Sequence, residues 1–227
     1  QSFPQVLGIN PQVHRVIPVN ETIQVDLEVA PYESVSAILD QSQAWGVLDC
    51  ICRVHKKMIG DPCDHPIENC LSFAPVEGYF DTHPVSRAIS KEEALQILHE
   101  AQEAGLVHTT GNYQDGINYI CNCCTCSCGI LRGVAEFNNS AAVSKADFMA
   151  VIDEELCIGC GLCEATCSFG AVHLEKVEGK GYRAVNVSAS CKGCGLCAAA
   201  CPQKAIDMIH FRDRQIIAAI RAGATAG

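Results

Sequence analysis

Two stretches decide how this chain is read. They are Cys157-Ile158-Gly159-Cys160-Gly161-Leu162-Cys163-Glu164-Ala165-Thr166-Cys167 and Cys191-Lys192-Gly193-Cys194-Gly195-Leu196-Cys197-Ala198-Ala199-Ala200-Cys201. Aligned without gaps at an offset of 34, Cys157–Glu175 and Cys191–Ile209 agree at nine of 19 positions. Self-similarity at a fixed offset means one supersecondary unit used twice. Each copy spaces three cysteines two residues apart and adds a fourth after three more. Paired zinc sites need only two separated Cys-x2-Cys knuckles. A tight run of three suits a cubane, whose iron corners each take a soft thiolate. Gly159, Gly161, Gly193 and Gly195 let the backbone bend closely around such a group. The fourth cysteine sits on the following helix and reaches the other cubane. The expected ligand sets are therefore Cys157, Cys160, Cys163 and Cys201 for one [4Fe–4S] cluster, and Cys191, Cys194, Cys197 and Cys167 for the other.

On these motifs, residues 151–211 resemble the bacterial two-[4Fe–4S] ferredoxin family. The resemblance covers roughly a quarter of the chain and implies a pseudo-twofold ferredoxin-like domain in an α+β protein. Ser168 stands where the family places a proline after the fourth cysteine, a change at a non-ligand position. A second resemblance rests on Ala205-Ile206, His210-Phe211, Asp213, Gln215-Ile216 and Ala219. These are similar to the segment that closes the ferredoxin module in the flavin-bearing subunit of heterodisulfide reductases. An ordinary strand followed by an amphipathic helix explains them equally well. No Gly-x-Gly-x-x-Gly dinucleotide fingerprint occurs, so any flavin involved sits on another chain.

The bulk properties agree. A formal net charge of −10 argues against nucleic acid, whose phosphates need a basic face, and against anionic membranes. It suits docking to basic patches on a redox partner. No apolar run reaches the ~18 residues of a membrane-spanning helix, so no membrane insertion is expected. Seventeen cysteines in 227 residues pose a choice between disulfides and metal. The odd count, the tight spacing and the length point to metal in a reducing, cytoplasmic setting.

Before the repeat, residues 1–49 form a cysteine-free segment. Val13–Pro18 and Thr22–Val29 look extended, and Ser34–Trp45 reads as a helix with Val35, Ile38, Leu39 and Ala44 on one side. Residues 50–135 form a cysteine-rich mixed unit with one well-signalled helix. Cys50, Cys52, Cys63 and Cys70 lie in loop-like sequence containing Gly60, Pro62, Pro66 and Pro75. Ser90 and Glu93 fit a capping box ahead of an apolar face of Ala94, Leu95, Ile97, Leu98 and Ala101, and Gly105 ends the helix. Leu106-Val107 and Ile117–Ile120 read as short strands. Residues 136–150 read as a linker or short helix. In the repeat, residues 171–175 and 182–187 suggest a hairpin turning at Gly179–Gly181, with 205–209 as the matching strand. Asp213–Ala222, in the tail 212–227, reads as a short helix.

Nine cysteines lie outside the repeat: Cys50, Cys52, Cys63 and Cys70, then Cys121, Cys123, Cys124, Cys126 and Cys128. Both groups border the same helical unit and are expected to converge. The readings are one or two further Fe–S clusters, a structural zinc site, or free or disulfide-forming thiols; two clusters already on the chain favour Fe–S. The arrangement resembles dicluster-ferredoxin-like proteins of anaerobes, through Cys52-Arg53, Cys63 with Cys70, and Asn122-Cys123-Cys124. The expected third cluster uses Cys52, Cys63, Cys70 and one of Cys123 or Cys124, leaving Cys50, Cys121, Cys126 and Cys128 as further candidates. His65 is either a ligand or a polar loop residue. Arg53, His55, Lys56 and Lys57 either offset cluster charge or form a solvated face.

The expected function is single-electron transfer by a subunit of a larger hetero-oligomeric anaerobic oxidoreductase, served by a redox partner such as a flavin-bearing subunit. The alternative is a redox enzyme that reduces a small thiol or disulfide at a cluster bound by the residue 50–128 cysteines.

Overall fold

The computed structural model describes residues 11–23, 34–113, 115–186 and 189–210, and the architecture is α+β. The first strand, β1 (His14–Val16), falls where the β-branched run predicts one. Thr22 closes a single 3-10 turn, and the remainder of the expected Thr22–Val29 strand from residue 24 lies outside the described residues, as does the helix expected over Asp213–Ala222.

The helix expected over Ser34–Trp45 begins as predicted but stops early. The Ser34 side chain accepts the Ala37 N–H, and α1 (Val35–Asp40) buries Val35, Ile38 and Leu39. Its end is held by the Ser42 hydroxyl, which donates to the Ile38 carbonyl at 3.2 Å. Ala44–Asp49 is instead a strand, β2, paired on both edges with β3 (Glu68–Ala74) and β4 (Arg87–Ile89). Two ladders outweigh the helical stripe that Ala44 had suggested, because Trp45 and Val47 suit a pleated, half-buried surface.

The loop-like reading of residues 50–75 also needs correction. Cys52 lies in a helix, α2 (Ile51–Met58), and Cys70 in the centre of β3. The breakers Gly60, Pro62 and Pro66 are confined to the connection between them, with Gly60 at φ +78°. The third helix, α3 (Lys91–Glu103), is the well-signalled one: the Ser90 hydroxyl caps the Glu93 N–H at 3.1 Å. Ala94, Leu98 and Ala101 are buried, but Leu95 faces outward, and the Glu93 carboxylate meets Arg87 at 2.8 Å. Gly105, at φ +70°, turns the chain into β5 (Val107–Gly111), which pairs with β6 (Tyr119–Cys123).

These strands make one antiparallel sheet in the order β1-β5-β6-β3-β2-β4. Leu71, Phe73, Val47 and Ile120 pack against Ile38, Leu39, Ala94 and Leu98, so α1 and α3 cover the sheet through one apolar core. After α4 (Leu131–Phe137), the stretch read as a linker holds a 3-10 turn and the start of β7 (Phe148–Ile152).

The remaining elements repeat. They are α5 (Leu162–Thr166), β8 (Val172–Val177), β9 (Gly181–Asn186), α6 (Leu196–Ala199) and β10 (Ile206–His210). Strand β8 pairs with β9 through Val172↔Asn186, and β10 pairs with β7 through Ile206↔Ile152. Both pairings obey the 34-residue offset, with Val172 answering to Ile206 and Ile152 to Asn186. The internal duplication therefore reaches back to β7, beyond what the cysteine spacing reveals.

Candidate metal centres

Two cavities flank the helices of the repeat. The first is lined by Cys157, Cys160, Cys163 and Cys201. The second is lined by Cys191, Cys194, Cys197 and Cys167. Each is lined by three cysteines from one copy of the motif and the fourth from the other. The remaining lining is mostly apolar, with Ile152, Leu174 and Ile206 at the first cavity and Val172, Leu196 and Met208 at the second.

Backbone N–H groups point at the sulfurs in matched pairs. Ala171 N donates to Cys167 Sγ at 3.2 Å and Ala205 N to Cys201 Sγ at 3.3 Å. Such bonds stabilise thiolate and tune a cluster's potential. Burial pushes the Cys194 thiol up to about 12 and the Cys197 thiol up as well. Thiols in that condition become thiolate ligands only when a metal supplies the compensating charge.

Residues 150–208 match the family model of the 4Fe-4S dicluster domain. The donor set, the two thiol-lined cavities and the N–H···S bonds fit two [4Fe–4S] clusters, and the dicluster module gives the chain an iron–sulfur electron-transfer role. No curated protein matches the chain.

The nine other cysteines divide into two groups. Six form a closed ring in which each thiol meets the next: Cys50, Cys52, Cys128, Cys123, Cys121, Cys70 and back to Cys50. The members come from the start of α2, the middle of β3, the end of β6 and the turn that follows. None of the six is exposed. The Cys123 thiol, with burial, drives Cys128 up to about 12 against the opposing contact of Cys52. For Cys70, the Cys121 contact acts downward, but Cys50 and burial prevail and carry it to about 12.

The other three, Cys63, Cys124 and Cys126, gather with His65; their four ligand atoms all lie within 4.8 Å of one another. Cys63, expected to share a cluster with Cys52, Cys70 and one of Cys123 or Cys124, thus sits with Cys124 but apart from Cys52, Cys70 and Cys123. Burial raises the Cys63 thiol, but hydrogen bonds from Ser127 and His65 reverse this and bring it down to about 6.

Arg53 stands between the two groups, facing Cys124, Cys50 and Cys63. It is buried, as is Lys56, which pairs with Asp61; the expected solvated face does not hold for these two. Arg53 donates to Pro66 O at 2.7 Å, Asn69 Oδ1 at 2.8 Å and Asn122 O at 2.8 Å. Burial alone would lower its pKa, yet the surrounding thiols raise it. Asn122 continues the network to His108 Nδ1 at 2.7 Å and to Asn69 O at 2.6 Å. Sequence reasoning missed the roles of Ser127, Asn69 and His108. The only local signal was Arg53 itself, adjacent to Cys52.

The ring and the dicluster module meet in one apolar cluster. Cys123 and Cys128 pack there with Val16, Val19, Leu131 and Leu196, and Cys194 packs against it. Val19 N donates to the Cys194 carbonyl at 3.0 Å, closing the segment after β1 over that half of the module. The symmetry-related positions of the other half are open: Leu162 is 48% exposed where Leu196 is 2% exposed, and Ile158 is exposed where Lys192 is buried. Among the described residues no helix is long and apolar enough to cross a membrane.

Proposed function

We propose that this chain is an electron relay in which the two [4Fe–4S] clusters of the dicluster module lead to a third iron–sulfur centre held by the six-thiol ring. The observation that carries it is that Cys194 packs against the apolar cluster to which Cys123 and Cys128 belong, so one core joins the second cluster's expected ligand to the ring. Six thiols, none of them exposed, are more than one cubane's corners require, and thiolate is the ligand of iron–sulfur clusters in general. The burial of the ring favours electron transfer over the reduction of a small thiol or disulfide, since a substrate needs an open approach to the metal.

Electrons enter or leave at the first cluster. There Cys160, Ile158 and Leu162 are exposed, amid exposed Asp153, Glu154, Glu155 and Glu164. An apolar centre with an acidic rim suits a redox partner with a complementary basic surface. The reading places the chain in a hetero-oligomeric anaerobic oxidoreductase, with a flavin-bearing subunit as the partner.

EPR-monitored redox titration of the anaerobically purified chain tests this reading. Signals of three centres are expected, and Cys123→Ser should remove one of them while leaving the two of the module. A wild-type spectrum that contains the two cubanes alone defeats the third centre.

A further inference from the structure

The four-ligand group beside the ring has a geometry of its own. Cys63 and His65 lie on the connection between α2 and β3, and Cys124 and Cys126 on the turn after β6. All four ligand atoms fall within 4.8 Å of one another, with Cys126 Sγ 3.6 Å from His65 Nδ1. A single tetrahedral ion with metal–sulfur bonds near 2.3 Å holds its thiolates roughly 3.8 Å apart. A cubane places each thiolate on a different iron corner and spreads them wider. The group is compact enough for one ion and tight for a cluster.

We propose that Cys63, His65, Cys124 and Cys126 bind one zinc ion, separate from every iron–sulfur centre of the chain. Three cysteines and a histidine closing a tetrahedron are a structural zinc donor set, with no position left for substrate. The surroundings match. The Ser127 hydroxyl donates to Cys63 Sγ at 3.2 Å, the outer-shell bond a ligating thiolate accepts. Three thiolates on a divalent ion leave one negative charge, and the buried Arg53 guanidinium faces Cys63 and Cys124. Zinc has no redox chemistry, so this centre carries no electrons. Its work is mechanical: it ties the connection ahead of β3, the strand that carries Cys70, to the turn after β6, the strand that carries Cys121 and Cys123. The proposal stands on the four-ligand geometry and is independent of whether the ring holds iron.

The test uses the full chain purified without oxygen, with zinc and iron measured per chain for wild type, Cys126→Ser and His65→Ala. About one zinc is expected in wild type. Both variants should lose most of it and keep the iron and the module's EPR signals. Iron lost in place of zinc would assign the group to a cluster and overturn the proposal; so would zinc retained by both variants, or wild type without zinc. Should the variants not fold, wild type grown with cobalt in place of zinc decides the matter. Intense visible ligand-field bands of a tetrahedral cobalt–thiolate site support the proposal, and their absence overturns it.

Discussion

Gly159 lies so close to Tyr182 that a Cβ on the glycine would fall 2.2 Å from the Tyr182 carbonyl oxygen. Its counterpart 34 residues on, Gly193, stands in the same relation to Phe148, at 2.4 Å. Both glycines have positive φ, +69° and +73°. The first cysteine loop thus rests on β9 and the second on β7, and only a residue without a side chain permits it.

Gly159→Ala is therefore expected to displace the loop that carries Cys157 and Cys160. A left-handed alanine costs roughly 1–2 kcal/mol before any clash, and here the obstacle is backbone. The variant should lose the first cluster, seen as about half the module's iron, with the second cluster's EPR signal kept. Gly193→Ala should show the converse.

Arg53→Met should destabilise the N-terminal unit by about 3–5 kcal/mol, the range for removing one member of a buried charged network. Pro66 O, Asn69 Oδ1 and Asn122 O would lose their donor. Arg53→Lys should recover only part of the loss, since an ammonium cannot span that fork of acceptors. Denaturant unfolding followed by circular dichroism reads both.

How much of this was legible in the sequence depends on distance along the chain. The cysteines that line the module's two cavities are, apart from the exchange of Cys167 and Cys201, runs within seven residues, and the duplicated spacing picks them out. The ring draws Cys50, Cys70 and Cys121 from separate elements, and no local pattern joins residues so far apart. Adjacent Cys123 and Cys124 belong to different groups because Cys123 ends a strand while Cys124 begins a turn. One signal was available and unread: in Asn69-Cys70-Leu71-Ser72-Phe73 the buried positions alternate, the mark of a strand, which would have lifted Cys70 out of a loop. The shortened α1 has the opposite cause, since Ala44 fits the helical stripe while Trp45 and Val47 are claimed by ladders on either side.

Folding stability should depend on His108. Burial lowers its pKa to about 4, with the Asn122 contact acting the other way. A histidine in the unfolded chain titrates near ~6.5, so between these values the unfolded state holds more protons and stability rises with pH. The contribution is complete above pH ~6.5 and is lost as pH falls towards 4, a difference of roughly 3 kcal/mol. Comparing wild type with His108→Gln across that range isolates it, because the acid lability of the clusters is common to both. The wild type should show the steeper decline.

Ser90→Ala should cost about 1 kcal/mol, the usual worth of a helix N-cap. The Ser90 hydroxyl is the acceptor for the Glu93 N–H at the start of α3. Thermal unfolding should shift modestly with no change in iron content, which separates this substitution from those at the metal centres.

The most direct measurement is iron and acid-labile sulfide per chain on protein purified without oxygen. Two cubanes hold about eight irons. A third centre on Cys50, Cys52, Cys70, Cys121, Cys123 and Cys128 predicts clearly more, about twelve if it matches a cubane, with sulfide in proportion. About eight irons, with those six thiols free to react with a thiol reagent once the chain is unfolded, would contradict the relay's third centre and confine electron transfer to residues 150–208.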